Sequence, residues 1–128
     1  MTSMSSYLKV ALIRSTLRGY PFASPAQFYI ALFITDPTAE GTGQEVSGGS
    51  YERKSVLFEE ISVGAVRNKE DVIFPTPTSE WGKVRWLAVY DSDMGGNMLY
   101  YGRLKEARLI DVGSDPFKVR AGNLIISF

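Results

Sequence analysis

The chain has 128 residues, 45% of them apolar and 22% charged, which is the length and balance of one folded domain rather than of a disordered segment. Fourteen basic residues offset fourteen acidic ones, so no net field draws the chain to a phosphate backbone or an anionic lipid surface, and neither nucleic acid nor membrane is expected as a partner. Cysteine and histidine are both absent, which removes disulfides, the usual zinc sites and every nucleophile arrangement that relies on a histidine base.

The first twenty residues, MTSMSSYLKVALIRSTLRGY, lack a basic leader, and Lys9 and Arg14 interrupt their apolar stretch, so they read as part of the fold and not as a signal peptide. The spacing predicts a helix capped at Ser6 and running to Arg18, with Gly19 ending it and Pro21 enforcing the stop. Leu8, Ala11, Leu12 and Ser15 form one stripe, with Val10, Ile13 and Leu17 beside it. So wide an apolar arc calls for packing on more than one side, against a sheet end or against another chain.

From residue 26 onward the pattern is that of strands. Residues 27–35, QFYIALFIT, are apolar almost throughout, as in a strand buried on both faces, and Asp36-Pro37 ends it. Residues 37–50, PTAEGTGQEVSGGS, carry four glycines and few apolar side chains and read as a long, flexible surface loop. Further strands are expected at residues 54–61, 63 or 65 to 68, 71–74, 83–90, 98–104, 117–120 and 124–128. Pro75 and Pro77, the DSDMGGN turn at 91–97, the 113–116 segment and the 121–123 turn separate them. Along residues 83–90, Val84, Trp86, Ala88 and Tyr90 are expected on one face, and Lys83 and Arg85 begin the other. Many short strands with turns every ten residues or so predict an all-β chain: one domain over residues 1–128, in which residues 1–20 form the helical segment and 26–128 an antiparallel, jelly-roll-like β-sandwich.

Little in the sequence carries chemistry. Asp91 and Asp93 in DSDMGGN have the look of a calcium loop, but the acidic residue that closes such a loop is missing, since Gly102 and Arg103 stand there; a hairpin turn needing Gly95 and Gly96 accounts for the stretch. Glu59-Glu60 and Glu70-Asp71 are the nearest thing to paired glycosidase carboxylates, yet neighbours on a strand point to opposite faces. The glycines of GTGQEVSGG follow a strand without opening a helix, so they build no phosphate loop. No catalytic, cofactor-binding or metal-binding residue is assigned. Trp81, Trp86, Tyr90, Tyr100 and Tyr101 suit core or intersubunit packing better than sugar stacking. Tyr51 and Arg53, residue types favoured at interfaces, border the glycine-rich loop and are the candidate protein-contact residues; Tyr20 and Phe22, just after the helix, join them.

Three stretches, FYIALFITDPTAEGTGQEVSGGSYERKSVLF, DVIFPTPTSEWGKVRWLAVYDSDMGGNMLYYGRL and VRAGNLIIS, resemble a family of small tailed-bacteriophage virion proteins, in the same order and over roughly residues 28–127. The matching positions are mostly turn and packing residues: Asp36, Pro37, Gly48, Gly49, Tyr51, Arg53, Phe74, Pro75, Trp81, Gly82, Asp91, Gly95, Gly96, Leu99 and Gly102. The WLAVYD segment is bulkier than the family pattern around Ala88. The resemblance implies a virion structural protein without enzymatic activity or cofactor. The leading expectation is a capsid cement protein on the phage head, homotrimeric and bound to the major capsid protein. The alternative is a tail or tail-fibre component that attaches to the host.

Overall fold

A computed structural model describes residues 2–127. After a short first strand, β1 (Thr2–Met4), comes the helix α1 (Ser6–Arg18), followed by β2 (Phe28–Phe33), β3 (Lys54–Val56), β4 (Phe58–Ser62), β5 (Ala65–Asn68) and β6 (Val72–Ile73). Two long strands, β7 (Gly82–Tyr90) and β8 (Met98–Ile110), precede the short β9 (Lys118–Val119) and β10 (Ile125–Ser127). Phe128, the end of the last expected strand, lies outside the described residues.

The pairing is antiparallel throughout. A five-stranded sheet has the order β1-β8-β7-β2-β3; β10-β5-β4 and β6-β9 form two smaller sheets. The β-rich class and the N-terminal helix are as the sequence predicts. The hydrogen-bonded pairing by itself does not draw a jelly roll, whose eight strands divide between two sheets.

β2 explains the architecture. Successive side chains on a strand face opposite ways, so Ile30 and Leu32 enter one apolar cluster while Ala31 and Phe33 enter another, and all four are buried. The larger cluster joins Ile30, Leu32, Val84 and Leu87 of the main sheet to Phe74, Phe117 and Val119 near the two-stranded sheet, giving sandwich-like packing. The smaller gathers Phe33, Ala88, Tyr90 and Met98. The chain then turns back: the Ile34 N–H donates to the Gln44 carbonyl and the Val46 N–H to the Leu32 carbonyl, so residues 44–46 lie along the end of β2.

The expected alternation along β7 fails at one point. Val84 packs in the larger cluster and Trp86 against the smaller, because the register with β8 breaks between them. Val84 pairs with Arg108 and Trp86 with Arg103, so β8 runs on through residues 104–107 opposite the single Arg85. A bulge of this kind reverses which face later residues present.

α1 starts one residue earlier than expected. Ser5, buried and extended, is the N-cap, and its hydroxyl accepts the Leu8 N–H at 3.2 Å. Gly19, with φ of 72°, ends the helix, and the Tyr20 N–H closes it by donating to the Arg14 carbonyl at 3.0 Å.

Candidate interaction surface

The segment between β2 and β3 is tied down, not loose. The Asp36 carboxylate accepts the Thr38 N–H at 2.8 Å, and the Pro37 carbonyl accepts from Thr42 and Gly43 at 2.7 and 3.2 Å. Gly43 has to be glycine, since a Cβ there would stand 2.4 Å from the Asp36 carbonyl oxygen. Farther on, the Ser50 hydroxyl donates to the Thr76 carbonyl at 2.8 Å and the Trp81 indole to the Gly49 carbonyl at 3.2 Å. The expectation of a flexible loop is corrected by these bonds: composition showed its polarity but not its partners.

Arg53 is the centre of this region. Its Nε and Nη2 grip both Glu45 oxygens at 2.9 Å, and its Nη1 donates to the carbonyls of Ser92 and Gly95 at 3.0 and 2.8 Å. The guanidinium also lies 3.8 Å from the centre of the Tyr90 ring. Burial alone would lower the pKa of this group, but its bonds to Glu45 outweigh that and raise it. One side chain thus ties the 36–50 loop to the turn at 91–97 and leaves only 8% of its surface exposed.

Tyr51 works beside it. Its hydroxyl donates to Glu45 at 2.7 Å and accepts the Leu32 N–H at 3.0 Å. Its ring stacks on Phe74 and meets Trp81 edge-on, with centroids 6.3 and 5.4 Å away. Burial pushes the hydroxyl far above the ordinary tyrosine value, and the neighbouring Glu45 adds to the shift. Both candidate contact residues therefore hold the chain to itself. The surface they fix is a shallow groove of about 490 Å³ bordered by Glu52, Asp93 and the largely exposed Met94.

Tyr20 and Phe22 lie elsewhere, past the end of α1. Tyr20 is half-exposed under the Arg18 guanidinium, which is 5.1 Å from its ring, and Phe22 is partly buried. Neither touches the Arg53 network. The helix before them has a feature that the sequence disclosed only in part. α1 buries Leu8, whereas Val10, Ile13 and Leu17 are 47, 58 and 80% exposed. At 100° per residue these three point directly away from Leu8, Ala11, Leu12 and Ser15, so the helix has two opposed apolar faces and not the one wide arc expected from the sequence. One side of the helix has a partner within the chain and the other is bare.

The residues singled out as chemistry are otherwise engaged. The Asp91 carboxylate accepts both the backbone and side-chain N–H groups of Asn97, at 2.7 and 3.1 Å, inside its own turn. Glu59 pairs with Arg67 across the β4–β5 hairpin, and Glu60 stands on the opposite face. Among the described residues no cluster of three or more acidic side chains is placed to hold a metal ion.

The sequence reading missed Glu45, the residue on which Arg53 and Tyr51 converge. It stands in the EVSGG stretch of the family pattern, but only the fold shows that Gly49, Tyr51, Arg53, Phe74, Trp81 and Gly95, drawn from separate stretches, form one contiguous unit.

An antiparallel β scaffold with its signature residues spent on bracing, and with bare apolar surface on its helix, is the build of a structural protein. The family model for the Podophage GP4 fiber I protein gp80 matches residues 3–127, and the chain belongs to that family of tail-fibre-like phage virion proteins. No curated protein matches it.

Proposed function

We propose that the chain is a tail-fibre component of a bacteriophage virion, acting as a single domain through protein contacts and without catalysis or cofactor. The observation that carries this reading is the fibre family's match over nearly the whole chain. That match favours the tail-fibre alternative over the leading expectation of a capsid cement protein, and the major capsid protein is not retained as the partner. The balanced charge argues against nucleic acid, and no helix among the described residues is long and apolar enough to cross a membrane.

The copies assemble as a homotrimer through α1. Val10, Ile13 and Leu17 follow the three-then-four spacing of a coiled-coil seam, and a face so bare in one copy is what a bundle of helices would bury. Light scattering on the purified chain should give the trimer mass, and Ile13→Glu with Leu17→Glu should give a folded monomer that melts below the wild-type trimer. A wild-type monomer at all concentrations contradicts the trimer. Antibody labelling of intact virions tests the place: label on the tail supports the fibre assignment, and label spread over the head overturns it.

A further inference from the structure

The helix α1 carries three cations, Lys9, Arg14 and Arg18, and no acid. All three are exposed, and among the described residues none enters a salt bridge. The acid bonded to the helix is Glu40, which accepts the Ser6 hydroxyl at the first turn and meets no cation there. Arg18 covers the Tyr20 ring, a contact that leaves its charge unmatched. Arg14 and Arg18 stand one turn apart on the same side, a spacing at which like charges repel. On a chain of zero net charge this helix is a local excess of positive charge.

Assembly concentrates that excess at a definite place. Rotation about a single three-fold axis leaves the copies of α1 pointing the same way along it. With Val10, Ile13 and Leu17 at the seam, in the a, d and a positions of a heptad, Lys9 falls at g and Arg14 at e. In parallel helices the g residue of one faces the e residue of its neighbour five positions on, so Lys9 of each copy meets Arg14 of the next. Coiled-coil seams are stabilised by opposite charges at these positions; this one has like charges in every groove between helices. Tyr7, half-exposed, lies on the Arg14 side of the helix two turns before it.

We propose that the grooves between neighbouring α1 helices bind acidic polypeptide segments of another protein, whose carboxylates sit between Lys9 of one copy and Arg14 of the next. The site rests on the trimer reading, since a lone helix has no such groove. Tyrosine and arginine are residue types that protein interfaces favour, and Tyr7 gives a polypeptide an apolar contact that a small anion does not use. The partner does more than bind. Each carboxylate replaces a repulsion with attractions to both cations, so its arrival tightens the trimer.

The test follows dissociation of the full chain's trimer by light scattering, from about 0.01 M to about 1 M sodium chloride, over which the screening length shrinks from about 30 Å to about 3 Å. The parent trimer should tighten as salt rises. Lys9→Glu alone and Arg14→Glu alone should each tighten it about a hundredfold at low salt, as three surface contacts each change by a factor of about five, and should reverse the salt response. Combining the two restores like charges and should return the parent's behaviour, a pattern that misfolding does not imitate. A glutamate-rich peptide of about eight residues, long enough when extended to run beside the helix, should tighten the parent trimer at low salt. Its glutamine counterpart should have no effect, and the Lys9→Glu variant should not respond to either. The proposal is overturned, with the trimer left standing, if salt, charge reversal and peptide leave dissociation unchanged, or if a single-stranded DNA oligomer of equal charge matches the peptide. A chain monomeric under every one of these conditions overturns the trimer, and the proposal with it.

Discussion

Arg53 closes two segments that are far apart in sequence, and its worth follows from having no substitute for its shape. A lysine can reach Glu45 but cannot bond both carboxylate oxygens, donate to the Ser92 and Gly95 carbonyls and cover the Tyr90 ring at once. Arg53→Ala leaves Glu45 with the Tyr51 hydroxyl but no cation, and the Ser92 and Gly95 carbonyls without their donor, so a loss of about 3 kcal/mol is expected, measured by chemical denaturation, with Arg53→Lys intermediate. A variant as stable as the parent would mean that the network is ornamental. Asn68 makes a parallel case at the other end of the molecule. Fully buried, it donates to the carbonyls of Glu70 and Arg120 and accepts the Leu124 N–H, all within 3.0 Å. Asn68→Ala should cost about 3 kcal/mol because three backbone groups lose their partners together. Neither role can be read from sequence. Arg53 resembles an interface residue by type and position, and only its partners show that it faces inward.

At the scale of elements, the sequence disclosed what depends on local rules. Ser5, Gly19 and the apolar run of β2 act through caps and alternation, so the helix and the doubly buried strand were legible within a residue or two. Elements set by long-range pairing were not. β1 is three residues of ordinary composition that form a strand only because β8 offers an edge, and β8 outruns its expected end at Leu104 through Lys105, Glu106, Ala107 and Arg108. The β7–β8 bulge likewise depends on two strands and no motif marks it. Caps have a local and measurable value: Ser5→Ala should lower stability by about 1 kcal/mol, seen as a lower melting temperature with loss of helical signal. Val10→Ser, on the bare face, should leave the melting temperature of the monomeric Ile13→Glu, Leu17→Glu variant unchanged, and a large drop there would show that this face packs within the chain.

For the whole molecule, buried tyrosines set an alkaline limit. Burial raises the hydroxyl pKa of Tyr51, and also those of Tyr90 and Tyr100, above the ordinary value of 10.0. The folded state holds these protons more tightly than the unfolded one, so their contribution is fully present below pH 10 and is lost as pH rises beyond it. The expected outcome is a flat melting temperature through the neutral range and a fall above that point. The fall should be shallower in Tyr51→Phe, which starts from a lower plateau because the bonds to Glu45 and Leu32 are gone. A melting temperature indifferent to alkali would place these hydroxyls in water.

The copy number of the chain in purified virions, obtained by quantitative mass spectrometry against the major capsid protein, bears most directly on its place in the particle. A tail has few fibre positions while a capsid lattice repeats its decoration sites over the whole shell. The fibre assignment predicts a small fraction of the capsid protein's abundance, with copies in a multiple of three. Abundance comparable with that of the major capsid protein would contradict it.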